Sequence, residues 1–321
     1  MEWGYSCSSE EFEASALVGF ARLAEDAGFD FVTVSDHFHP WTRAQGHSPY
    51  VWTTVGGIAA STQRVQLATS VTCPLIRQHP AIVAQAAATS QELSGGRFFL
   101  GVGTGEALNE HIVGERWPPI EQRQQMLVEA VRVMRALWTG ETVDFVGEYF
   151  QIENAKLFSA PTAPIEVIWA AGGEVSAGLA AEHADGLWCT RPDPDTIAAY
   201  RDAGGDGRII GQLTVCWNED AETARTIAHE RWPNAALGGQ LSQDLPTWTH
   251  FEQATKLATP EDVAERVVCG ADPQAVVDAV DEFRRAGVNA LHFHQVGDDQ
   301  AGFIGWWQTE LRAALDVRAR R

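Results

Sequence analysis

Lysine is nearly absent. Only Lys156 and Lys256 occur in 321 residues, and the chain holds 23 Lys plus Arg against 43 Asp plus Glu, a formal net charge of -20. Such an excess repels a phosphate backbone or an anionic membrane surface, so nucleic-acid binding is excluded as an expected function. Cysteine is also sparse: Cys7, Cys73, Cys189, Cys216 and Cys269 are odd in number, far apart and form no CxxC pair. Neither a disulfide framework nor a structural zinc site is indicated, which fits a reducing compartment. No uninterrupted apolar run approaches a membrane span, and the opening MEWGYSCSSEEFE lacks a basic region followed by an apolar stretch. A soluble, cytoplasmic protein is expected.

Apolar material is ample, at 45% hydrophobic and 9% aromatic residues, enough to fill a large core without staples. Short runs rich in Val, Ile, Phe and Trp alternate with helix-period segments. Eight of them read as strands: Glu2 to Tyr5, Phe31 to Ser35, Val65 to Ser70, Phe98 to Val102, Ile165 to Ala170, Leu187 to Thr190, Ile209 to Cys216 and Ala290 to His294. The alternation predicts parallel strands joined by helices, and eight βα units are the count of an α/β (β/α)8 TIM barrel with insertions. A doubly wound sheet is the competing topology. One barrel domain over residues 1–321 is expected, with about 223–259, rich in Gly, Pro and Trp, read as an insertion near the barrel mouth. Ser8 and Glu11 read as a capping box for a first helix that stops at Gly28, and a last helix is expected from about Asp299 to Leu315.

Catalytic groups of a TIM barrel sit at the C-terminal ends of its strands. Those ends here carry Asp36-His37-Phe38-His39-Pro40-Trp41, Ser70-Val71, Gly103-Thr104-Gly105-Glu106, Ala171-Gly172-Gly173 and Thr190-Arg191. GVGTGEALNE, from Gly101 to Glu110, invites a dinucleotide-binding reading, but Glu106 stands where the third glycine of GxGxxG belongs and would face pyrophosphate. A functional loop is the better reading, with a merely tight turn as the alternative. His37/His39 and His292/His294 have the spacing of metal ligands on a strand. Strand one offers no further histidine, so general-base or structural roles weigh more than a metal, and none is expected. No GxSxG elbow occurs, which argues against a serine hydrolase.

Together, SDHFHPW (Ser35 to Trp41), GHSP (Gly46 to Pro49), GVGTGEALNE and AAGG (Ala170 to Gly173) make the chain resemble the luciferase-like barrel superfamily. It is most similar to the deazaflavin-dependent dehydrogenases of that group, which include the F420-dependent glucose-6-phosphate dehydrogenases. The resemblance runs from about Gly4 to Leu315. It implies a TIM barrel, a homodimer, and coenzyme F420 bound at the strand C-termini for hydride exchange with a small-molecule alcohol or sugar.

Carried over by position, the resemblance makes His37 the base, Glu106 the proton donor, Trp41 an indole beside the reacting centre and Glu10 a further active-site carboxylate. Asp36 would contact the cofactor ring, and Ser70-Val71 would form an often cis peptide behind it. Asn109, Ala171, Gly172, Gly173 and Thr190 would line the ring, phosphate and tail, with Cys73 in place of an expected cofactor-side Thr. The cations with which sugar-phosphate-oxidising relatives hold the phosphate are replaced: Asp193, Gln253 and Ala279 stand at those places, and Arg191 is the nearby cation left. Unphosphorylated substrates are therefore expected, with an F420-dependent sugar-6-phosphate dehydrogenase or an FMN-dependent monooxygenase of the same superfamily as the alternatives.

Overall fold

The structure is a computed structural model that describes residues 1–319. Its barrel strands are β1 (Glu2–Cys7), β2 (Phe31–Val34), β3 (Gln66–Thr72), β4 (Phe98–Val102), β5 (Val167–Ala170), β6 (Gly186–Cys189), β7 (Arg208–Cys216) and β8 (Ala290–Gln295). Every neighbouring pair is parallel, and the pairings β6 with β7, β7 with β8 and β8 with β1 close the sheet. This is a closed (β/α)8 barrel. The short strand Val268–Cys269 pairs with the end of β7, and a hairpin, Val143–Val146 with Gln151–Ala155, precedes β5.

The barrel is filled by a layer of inward side chains, Phe31, Ala68, Phe99, Ile168, Trp188, Ile210 and Ala290. Gly4 in β1 makes room for it, because a Cβ there would lie 2.3 Å from the Phe31 ring and 2.7 Å from the His292 Cβ. Below, the Arg208 guanidinium lies 5.0 and 4.7 Å from the Phe31 and Phe99 ring centroids and pairs with Glu2 at 2.6 Å. Above, Trp188 donates its indole N–H to His292 Nε2 at 3.2 Å, and Thr33 Oγ1 lies 3.3 Å from His292 Nδ1. Complete burial pushes the His292 imidazole down to about 3, so it stays neutral and holds Trp188 in place as a floor.

One local expectation is corrected, and two segments gain detail. The first helix begins at Ala14 with Glu13 at its N-cap, not at a Ser8–Glu11 box. Ser8 Oγ instead donates to Glu10 at 3.0 Å, and Glu11 accepts from the Gly297 amide at 3.0 Å beside His294. Distant buried partners capture Glu11, and Glu10, two residues on, captures Ser8, so the helix starts after them. The last helix holds one α-helical stretch, Gln300–Trp306, then a π-helical turn, Trp307–Leu311, before Arg312–Ala319. Within about 223–259 the chain is mostly helical: Ala221–Arg231, Pro233–Ala236, Leu241–Asp244 and Trp248–Ala254 succeed one another. Buried Trp232 and Phe251 anchor this stretch to the barrel.

Candidate active site at the barrel mouth

A cavity of about 320 Å3 opens at the C-terminal ends of the strands. His37, Trp41, Glu106, Asp36, Ser70, Val71, Cys73, Asn109, Ala171, Gly172 and Thr190 line it, as expected of a barrel mouth. Glu10 and Gly173 stand just outside the wall.

Glu10 is 1% exposed, on the loop after β1. Its Oε2 accepts from Ser35 Oγ at 2.7 Å and Ser8 Oγ at 3.0 Å, which leaves Oε1 buried without a hydrogen bond but 3.3 Å from His37 Nε2. Glu106 Oε2 lies 3.9 Å from the same nitrogen. On the other side of the ring, His37 Nδ1 is 3.2 Å from the His39 carbonyl and 3.1 Å from Asn109 Nδ2. The amide of Asn109 is fixed because its Oδ1 accepts from the Phe38 and His39 amides at 2.9 and 3.2 Å. Trp41 packs against His37 with ring centroids 4.3 Å apart. Burial dominates at Glu106 and pushes its carboxyl up to about 7; His37 opposes the change, and the carboxylates of Glu10 and Glu110 add to it. A group with that affinity exchanges protons near neutrality.

Asp36 in the wall is held through both of its carboxylate oxygens. Arg77 Nη2 donates to its Oδ1 at 2.8 Å, while Thr72 Oγ1 and Gln78 Nε2 donate to Oδ2 at 2.8 and 2.7 Å. Arg77 also reaches Glu110, through its amide at 2.8 Å and its Nε at 3.4 Å. Glu110 is 1% exposed, and burial raises its carboxyl above the ordinary range. Burial likewise raises the Cys73 thiol well above its ordinary value, so it packs as an uncharged group beneath Gly105.

The Ser70–Val71 peptide is cis. Beside it the backbone of β4 is bare, since a Cβ on Gly103 would lie 2.7 Å from Val71 Cγ2 and one on Gly101 2.2 Å from the Thr69 carbonyl. Gly172 and Gly173 differ: a Cβ on either would meet nothing within 4 Å. They lead into the helix Glu174–His183, whose N-cap Gly173 has no side chain to satisfy the first amides. Open backbone N–H groups at a helix start suit an anion.

The positions at which phosphate-holding cations were considered do not supply them. Asp193 caps the helix Pro194–Asp202, accepting from Thr196 Oγ1 at 2.6 Å and the Asp195 amide at 3.1 Å. Gln253 and Ala279 lie on the helices Trp248–Ala254 and Pro273–Ala286. Among the described residues no lysine or arginine belongs to the cavity wall. Neither histidine pair converges: His39 Nδ1 faces the Leu108 carbonyl, and His294 faces Glu11 at 3.3 Å. Among the described residues no group of three or more His, Cys, Asp or Glu is placed to hold a metal ion.

Sequence reasoning missed Trp188, Gln212, Ser242 and Gln243 in the wall and Arg77 behind it. Glu110 closes the quoted GVGTGEALNE stretch, but nothing marks Arg77 as its partner.

The family model described as luciferase-like monooxygenase matches residues 1–290. The F420-dependent glucose-6-phosphate dehydrogenase of Segniliparus rotundus is 37% identical over 329 residues, covering 97% of both chains. The enzyme of that name from Mycolicibacterium smegmatis is 37% identical over 332 residues, covering 98% of both. Among solved structures, an F420-dependent secondary alcohol dehydrogenase in complex with an F420-acetone adduct superposes with a TM-score of 0.90 at 30% identity, over 98% of each chain.

Proposed function

The chain belongs to the luciferase-like monooxygenase family, and from that premise we propose that it is an F420-dependent oxidoreductase. It moves a hydride between coenzyme F420 and the carbon bearing an unphosphorylated alcohol or sugar hydroxyl. The observation that carries this reading is His37, set between Glu10 and Glu106 on a cavity whose wall holds no lysine or arginine.

The residues present fit the cofactor. Val71, Ala170 and Trp188 in the wall offer an apolar face to a flat ring, and the open amides from Ala171 through Gly173 into the following helix suit an anionic tail without lysines. Thr190 and Asn109 offer polar contacts at the edge. When bound, F420 supplies a ring carbon that exchanges hydride with the substrate carbon.

Loss of hydride from an alcohol carbon requires removal of the hydroxyl proton. His37 Nε2 has the lone pair to accept it in the tautomer that donates Nδ1–H to the His39 carbonyl, not in the one whose Nδ1 accepts from Asn109 Nδ2. The imidazolium so formed faces Glu10 Oε1, whose buried, otherwise unsatisfied charge it satisfies. Glu106 holds a proton at its carboxyl below about pH 7 and can release it into the cavity. Asp36, held by Arg77, Thr72 and Gln78, is a fixed carboxylate in the wall.

A phosphate monoester carries close to two negative charges and needs converging cations, each charge-assisted bond contributing about 1.5 to 3 kcal/mol. Asp36, Glu106 and Glu110 in the wall oppose such a group. We assign the protein to the cytoplasm as a homodimer. Support comes from five free cysteines, four of them buried, and from the half-exposed Tyr50, Ile82 and Leu93 on the first helices after β2 and β3. No described helix is long and apolar enough to cross a membrane.

The test is a panel of secondary alcohols, sugars and glucose 6-phosphate, assayed by loss of oxidised F420 absorbance. Turnover of a neutral alcohol or sugar with negligible activity on glucose 6-phosphate is expected. Saturable turnover of glucose 6-phosphate at micromolar concentration, abolished by Arg191→Ala, restores the sugar-phosphate assignment.

A further inference from the structure

Arg123 is the least accessible cation of the molecule's mouth. It lies in the first turn of the helix Ile120–Trp138 and is 0% exposed, a costly place for a guanidinium unless its five donors are used. They are used across three separate stretches of chain. Nε donates to the Pro118 carbonyl at 3.1 Å, Nη1 to the carbonyls of Thr104 and Gly105 at 3.3 and 3.2 Å, and Nη2 to Gln243 Oε1 at 3.4 Å. Asp244 Oδ1 is 3.8 Å from Nη2, and it also accepts the Trp117 indole N–H at 3.0 Å. The guanidinium carbon in turn lies 4.1 Å from the Trp117 ring centroid.

Two of those stretches belong to the cavity. Thr104 and Gly105 immediately precede Glu106, and Ser242 and Gln243 are wall residues contributed from outside the strand ends. One buried cation therefore ties the segment Leu241–Asp244 to the loop that carries the proton-exchanging carboxyl.

We propose that Arg123 is a positioning residue that couples the segment Leu241–Asp244 to the Glu106 loop, with Ser242 and Gln243 setting the size of alcohol the cavity accepts. The coupling stands on the contacts themselves; its consequence for substrate size rests on the function proposed above. Because guanidinium geometry spans three backbone carbonyls and a side-chain amide at once, lysine cannot replace it.

The test uses amide hydrogen exchange on the full chain, without ligand, comparing the parent with Asp244→Ala and Arg123→Lys. Asp244 is 40% exposed on its side chain, so its alanine variant keeps the core intact even where the buried Arg123 variant fails to fold. Exchange is expected to rise about tenfold over residues 240–245 and also at the amides of Asn109 and Glu110, which donate to the Glu106 carbonyl at 3.0 and 3.1 Å. A rise confined to 240–245 overturns the coupling. In the second arm, with F420, the preference of the parent for propan-2-ol over cyclohexanol is expected to shrink about tenfold in Asp244→Ala, through KM, with kcat within twofold. An unchanged preference overturns the size assignment. A parent that turns over no alcohol refutes the proposed function, while the exchange result still decides the coupling.

Discussion

Replacing Glu106 by glutamine separates the energetic cost of this carboxyl from its chemical use. Moving a carboxyl from an ordinary 4.5 to about 7 makes its ionised form cost the folded state about 3 kcal/mol, at 1.36 kcal/mol per tenfold change in proton affinity. The folded value lies above the unfolded one. Its contribution to stability is therefore complete below about pH 4.5 and is lost as pH rises through about 7. Glutamine keeps the shape and carries no such titration. The difference in unfolding free energy, variant minus parent, should rise between pH 4.5 and 7 by up to about 3 kcal/mol and level off above. Urea unfolding of both proteins at a series of pH values measures this directly, because titrations common to both cancel. In the same variant, turnover should fall more than F420 affinity, since an amide cannot deliver a proton. Parallel stability curves would refute the assignment of a raised proton affinity to Glu106. Lost F420 binding with a normal rate in the bound enzyme would make it a binding residue.

His37→Asn should leave F420 binding near the parent value and lower kcat by about a hundredfold or more, the usual effect of losing a general base; a correctly folded variant with parental turnover removes His37 from the mechanism. Arg77→Leu should destabilise the fold by about 3 to 5 kcal/mol, read from urea unfolding, because Asp36 and Glu110 are then buried without their cation. A loss under 1 kcal/mol would show that the pair is solvated. Gly172→Val should weaken F420 binding by about tenfold or more while the chain stays folded, since a Cβ there meets nothing within 4 Å and the residue lines the cavity; undiminished affinity would move the cofactor elsewhere.

The barrel was legible because each strand is a short apolar run and each is closed by polar or glycine residues at one end. The same fact made much of the mouth legible. A side chain immediately after a strand is placed by local geometry, so Asp36, His37, Ser70 and Glu106 could be located from the chain alone. Residues placed by distant partners were not. Arg77 sits in a loop and Arg123 on a helix whose apolar spacing gives a cation no role, and their roles emerge only when Asp36, Glu110 and Gln243 are brought to them by the fold. Ser8 and Glu11 show the converse error. Their spacing matches a helix start, but His294 and the Gly297 amide claim Glu11 and buried Glu10 claims Ser8, which outcompetes a surface cap. Asp36 was located correctly, yet a sequence cannot reveal that Arg77, Thr72 and Gln78 have already claimed its oxygens.

The central claim is that this cavity binds a deazaflavin and passes hydride to it from a neutral alcohol. The most direct test titrates the purified protein separately with F420 and FMN, following the change in cofactor absorbance, and then adds propan-2-ol to each mixture. The account predicts saturable binding of F420, little binding of FMN, and bleaching of oxidised F420 on addition of the alcohol, lost in His37→Asn. Tight binding of FMN with no response to F420 would contradict it.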